Sequence, residues 1–260
     1  MSSLQNRVAL VTGAGRGIGR AIAEAYGQEG ARVAVTARTE SELADTVAAI
    51  RTAGGEAVAF TADLSDRSST RGLVPRVMNV MGPIGILVNN AGVGSSQDPR
   101  PLLEFDDDFW DLTLEVNLTA PYLLCKAALP PMLERRWGRI ITVSSINAHR
   151  PALHGCAYTA SKHGVLGLMR TLAIEVAPQG ITVNTICPGP VKTRMNDARI
   201  VYDAKRLGRE LDEHERVQTP IGGRLDPEDI AGMAVYLAGD AARMVTGQAF
   251  NVCGGVMISG

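Results

Sequence analysis

The sequence has almost no imbalance of charge: 26 basic against 27 acidic side chains leave a formal net charge of −1. A chain without a basic excess lacks the electrostatic footprint of a nucleic-acid binder. It also lacks any apolar run of the ~18 residues needed to cross a bilayer. The opening Met1-Ser2-Ser3-Leu4-Gln5-Asn6-Arg7 has no apolar core of a secretion signal and leads straight into a strand pattern, so a cytoplasmic protein is expected. Cysteine is sparse and scattered. Cys125, Cys156, Cys187 and Cys253 form no C-x-x-C pair, which suggests neither zinc nor a disulfide framework. His149 and His154 do not have convincing metal-site spacing and are at most candidate substrate-cleft residues, with Cys156 a candidate pocket-lining side chain. No repeat, linker or low-complexity stretch interrupts the chain.

What is present is a rhythm. The 260 residues, 45% of them hydrophobic, suit one α/β domain with an ample core. Strand patterns at Arg7–Thr12, Ala31–Ala37, Ala57–Ala62, Ile84–Asn90, Arg139–Ser144, Ile181–Cys187 and Gln248–Val252 alternate with helical patterns. That alternation marks a doubly wound, Rossmann-type parallel sheet with helices on both faces. Between Asp106 and Arg136 a long helical stretch is expected to bend at Pro121 and at Pro130-Pro131. The charged segment 193–219 breaks the rhythm and reads as two short helices forming a substrate lid.

The first strand runs into Gly13-Ala14-Gly15-Arg16-Gly17-Ile18-Gly19 and then a helical pattern. Strand, glycine turn and helix N-terminus in that order cradle a pyrophosphate, because the backbone can approach closely and free N–H groups point at it. The common G-x-G-x-x-G register does not fit; Gly13-x-x-x-Gly17-x-Gly19 does. The second strand ends in Thr36-Ala37-Arg38 with no acid, the nearest carboxylate being Glu40. An acid there holds a ribose 2′-hydroxyl, whereas arginine forks onto a 2′-phosphate. Arg38, with Arg16 as a second cation, therefore favours NADP(H), with NAD(H) possible.

Tyr158 and Lys162 are four residues apart on a helical pattern, which stacks a phenol and an ammonium on one face. The cation is expected to favour the phenolate and bring the phenol toward a useful acidity. Together with Thr12-Gly13-x-x-x-Gly17-x-Gly19, Asp63-Leu64, Asn89-Asn90-Ala91-Gly92, Asn117, Ser145 and Pro188-Gly189, this ordered set resembles the short-chain dehydrogenase/reductase family over essentially the whole chain.

The resemblance implies a hydride-transfer oxidoreductase interconverting a ketone and a secondary alcohol. Tyr158 would be the general acid/base, Lys162 would lower its pKa and bind the nicotinamide ribose, and Ser145 would hold the substrate oxygen. Asn117 would be a helix-kink residue that positions water for a proton relay. Asp63 and Leu64 would meet the adenine, Asn90, Ala91 and Gly92 would line the cofactor cleft, and Pro188, Gly189, Val191 and Thr193 would cover the nicotinamide. A homotetramer built on the Tyr158 helix and the one before it is implied as well. Within the family the sequence looks like NADPH-dependent 3-oxoacyl-thioester reductases and polyketide ketoreductases. A catabolic NAD-dependent alcohol, polyol or cyclic-ketone dehydrogenase is the alternative, and a silent nucleotide-binding regulator is the alternative of another class. Arg150, His149 and Arg194 are candidates to meet an anionic group on a substrate.

Overall fold

A computed structural model describes residues 3–258. Seven strands form one sheet: β1 (Val8–Thr12), β2 (Arg32–Ala37), β3 (Glu56–Thr61), β4 (Ile86–Asn89), β5 (Gly138–Val143), β6 (Ile181–Pro188) and β7 (Ala249–Val252). Their spatial order is β3-β2-β1-β4-β5-β6-β7, and every pairing is parallel. The order reverses between β1 and β4, so the loops after these two strands diverge and leave a crevice at their carboxyl ends. Central strands are buried on both faces, which is why Ile86, Leu87 and Val88 of β4 follow one another without a polar residue.

Helices cover both faces. On one lie α1 (Gly17–Gln28), α2 (Glu40–Thr52) and, much later in the chain, α9 (Pro227–Ala238), whose Ile22, Tyr26, Leu43, Ile230 and Leu237 share a core with the sheet. Tyr26 is fully buried and its hydroxyl donates to the Ala234 carbonyl at 3.0 Å, satisfying the one polar atom this aromatic brings inside. On the other face lie α3 (Arg67–Met81), α5 (Ala120–Arg135) and α6 (Cys156–Val176), with Leu73, Val77, Leu124, Met132, Val165 and Met169 in the second core. The short α4 (Asp107–Leu114) precedes α5, while α7 (Arg194–Leu207) and α8 (Leu211–Arg216) occupy the charged segment.

Pro121, Pro130 and Pro131 lie within α5, and regular α-helical geometry gives way just before Pro121, in a π-helical turn over Glu115–Thr119. One expectation needs correction. In the 193–219 segment two helices do form, but α7 has 14 residues and is not short.

Candidate active site

A cleft of about 960 Å³ opens along the carboxyl ends of the strands. Gly13, Arg16, Gly17, Ile18, Gly19, Arg38, Asp63, Leu64, Asn90, Ala91, Gly92, Ser145, Tyr158, Lys162, Pro188, Gly189, Val191 and Thr193 all line it. Thus the expected cofactor residues, spread over most of the sequence, converge on one crevice. Asn117, His149, His154 and Cys156 do not belong to its lining.

The glycine turn is shaped for close approach. A Cβ on Gly19 would lie 2.3 Å from both the Asn90 side-chain nitrogen and the Gly13 carbonyl oxygen, and Gly17 has a φ of 54° that L side chains rarely adopt. Thr12 ties the turn to β4: its hydroxyl accepts the Asn90 and Ala91 N–H groups at 2.9 and 3.0 Å, and Asn90 Nδ2 donates to the Thr12 carbonyl at 2.8 Å. Side chains cap the N-termini of α3, α4 and α7 (Asp66, Asp106 and Thr193), but Arg16 puts no side-chain cap on α1. Other helices, α2 and α6 among them, also lack such a cap, but the first residues of α1 line the cleft, where uncapped N–H groups suit a pyrophosphate. By this test the residues fit a dinucleotide.

At the strand ends beyond, Ser145 follows β5, and its hydroxyl accepts the Asn147 N–H at 3.1 Å, which fixes the turn leading out of the sheet. Ser144 has a structural part: its N–H donates to Ile186 at 2.7 Å and its hydroxyl to the Lys162 carbonyl at 3.4 Å. Lys162 is buried, donates from Nζ to the Val143 carbonyl at 3.1 Å, and lies 5.5 Å from the Tyr158 ring centroid. Burial pulls the ammonium down to about 8.

Tyr158 departs from the expectation set by its neighbour. Desolvation pushes the phenol above its ordinary value, outweighing a lowering by its hydrogen bond with the Ser145 hydroxyl. The nearby amine does not reverse this in the folded chain. Both groups pay for burial, and each is moved toward its neutral form.

Asn117 stands at the irregular turn of its helix, with its side chain turned inward. It is 2% exposed at the π-helical turn; its Oδ1 accepts the Val93 N–H at 2.7 Å, and its Nδ2 donates to the Val93 carbonyl at 2.9 Å and the Ser161 hydroxyl at 3.0 Å. All of its amide is used to clamp the strand-β4 loop onto α6. The two histidines are likewise engaged elsewhere. His149 Nε2 lies 3.6 Å from the Cys187 sulfur, and His154 Nδ1 meets the Tyr202 hydroxyl of α7. Burial pushes the Cys187 thiol up to about 11, so it is a neutral group behind Ser145. Arg150 and Arg194 do line the cleft.

Sequence reasoning passed over Glu42. It sits in the first turn of α2, and its carboxylate folds back over the glycine turn, with Oε1 3.1 Å from Arg16 Nη1 and 3.4 Å from Arg194 Nη1. No motif spacing marks a residue that arrives by the geometry of a helix.

The short chain dehydrogenase family matches residues 7–201. The chain belongs to the short-chain dehydrogenase/reductase family. It is accordingly an NAD(P)-dependent oxidoreductase acting on carbonyl or alcohol groups. A Streptomyces coelicolor protein named as a candidate ketoacyl reductase is 41% identical over 266 residues, covering 98% of this chain and 99% of its own. The crystal structure of a tryptophan variant of the actinorhodin polyketide ketoreductase with NADPH superposes with a TM-score of 0.91 at 39% identity, covering 98% of each chain. A structure from Beutenbergia cavernae, named as a candidate NAD(P)-dependent gluconate 5-dehydrogenase with bound NADP at low occupancy, gives a TM-score of 0.88 at 38% identity and 97% coverage of each chain. Among the described residues no helix is long and apolar enough to cross a membrane, and no cluster of His, Cys, Asp and Glu could hold a metal.

Proposed function

We propose that this enzyme reduces the ketone of a 3-oxoacyl thioester or a related carbonyl compound, with NADPH as its preferred reductant. The observation that carries the reading is the meeting of Ser145, Tyr158 and Lys162 with the glycine cradle and Arg38 in one cleft. A bound nicotinamide supplies the hydride. Ser145 holds the substrate oxygen, and Tyr158 delivers the proton to it. Tyr158 is protonated at neutral pH and so carries the proton that reduction requires. Lys162 holds the nicotinamide ribose and stabilises the phenolate left after the transfer. Arg38 is exposed on the cleft wall, and among the described residues no carboxylate pairs with it, which leaves its guanidinium for a 2′-phosphate. Residues 193–219 act as a substrate lid, with Met195, Arg199 and Ile200 on its inner wall.

Likeness to the ketoreductases supports the substrate class. A second reading, a catabolic dehydrogenase of polyols or cyclic alcohols, is favoured by the likeness to the gluconate 5-dehydrogenase structure. A panel of acyl thioesters, cyclic ketones and polyols, assayed with both dinucleotides at the reduced-nicotinamide absorbance band, separates the two. Turnover of polyols or cyclic ketones without turnover of thioesters would overturn the first reading. A silent regulator would turn over nothing while still binding a dinucleotide; the presence of Ser145, Tyr158 and Lys162 together argues against it.

A further inference from the structure

The wall that meets the adenosine ribose in this fold contains charges of both signs. Arg38 and Arg16 come from the end of β2 and the glycine turn, and Glu42 comes from α2. The Glu42 side chain is 24% exposed. Its Oε2 lies 3.1 Å from where a Cβ on Gly15 would stand, so the carboxylate covers the turn. It is the shared acceptor for Arg16, at 3.1 Å, and for Arg194, the first residue of α7, at 3.4 Å. Of the cations at this wall, Arg38 is the one that Glu42 does not hold.

We propose that Glu42 sets the balance between NADP and NAD, opposing a 2′-phosphate and tolerating a 2′-hydroxyl. The inference rests on the reading that a dinucleotide occupies this cleft. A 2′-phosphate brings up to two negative charges to a wall that already holds a carboxylate. Arg16 and Arg194 each give Glu42 one Nη1 only, so a phosphate shares them with the carboxylate and gains less from each than from an uncommitted guanidinium. A hydroxyl asks for no such sharing and can donate to a carboxylate. Arg38 therefore favours the phosphate while Glu42 takes part of that preference back, and an enzyme usable with either cofactor results. Because Arg194 begins α7, the same carboxylate also ties the 193–219 segment to the cofactor wall.

Direct binding tests this without relying on turnover. Isothermal titration of the purified wild type and of Glu42→Gln with NADPH, and separately with NADH, is expected to move the affinity ratio about fivefold toward NADPH in the variant, the scale of one part-exposed charge interaction. The shift should shrink at 0.5 M salt, where the screening length falls to about 4 Å from about 10 Å at 0.1 M. Arg194→Gln, which leaves the carboxylate less neutralised, should move the ratio the other way. A ratio unchanged in Glu42→Gln, or one that moves toward NADH, would overturn the inference while leaving the proposed function intact. Failure of the wild type to bind either dinucleotide would overturn both.

Discussion

At Tyr158 the acidity of one hydroxyl is contested by burial on one side and a hydrogen bond with Ser145 on the other, and burial prevails. A phenol raised in this way stays protonated at neutral pH and is a weaker acid than free tyrosine, so little phenolate is present to accept a proton. Alcohol oxidation, which needs the phenolate, should therefore accelerate as pH rises from 7 through 9, whereas ketone reduction should be flat or decline; initial rates in both directions across that range check the sign. A bell centred near neutrality for oxidation would mean that another group is the base. Tyr158→Phe should lower turnover by at least about a thousandfold while NADPH affinity, measured by calorimetry, stays within about twofold. Arg38→Asp should weaken NADPH far more than NADH, because a fork onto the phosphate becomes a repulsion. The identities of Tyr158, Lys162, Ser145 and Arg38 were legible in the sequence, since each belongs to a spacing or a strand end. The direction of the Tyr158 shift was not legible, because desolvation depends on what packs around the phenol.

Among the elements, the π-helical turn at Glu115–Thr119 has the clearest consequence. By adding a residue to one turn it swings Asn117 inward, where its amide satisfies both backbone groups of the buried Val93 and the hydroxyl of Ser161. Asn117→Ala would leave the Val93 N–H and carbonyl without the amide, while the Ser161 hydroxyl keeps its bond to the Tyr158 carbonyl at 2.7 Å. Each orphaned buried group costs about 1–3 kcal/mol, so a loss of about 2–4 kcal/mol is expected, read as a fall in melting temperature of roughly 5–10 °C in a chain of this size. A melting point unchanged within a degree would show that water replaces the amide freely. The prolines of this stretch pointed to an irregularity, and the π-helical turn lies next to Pro121; its π form was not legible, because it depends on how the helix packs.

At the scale of the whole molecule, seven parallel strands deliver the carboxyl ends of β1, β2, β4, β5 and β6 to one crevice. Residues from Gly13 to Thr193 thereby become neighbours. The outer faces of α5 and α6 keep Tyr122 and Ile174 exposed, at 45% and 80%. Multi-angle light scattering of the purified chain is expected to give a homotetramer with these helices covered, as the family resemblance implies. A monomer at micromolar concentration would show that α6 needs no partner beyond its own sheet.

The sequence by itself determined the alternation of strands and helices, the glycine cradle, and the spacing that puts Tyr158 above Lys162. All of these are local, set by the periodicity of apolar side chains and by which residues tolerate a tight turn. Tertiary structure alone decided that Glu42 lies over Gly15 and that Arg194 reaches it from α7, more than 150 positions later. It also decided that Asn117 turns inward and that burial prevails over the Ser145 hydrogen bond at Tyr158. Contacts across such separations depend on how helices pack on the sheet, and a desolvation energy exists only once the surrounding protein has excluded water.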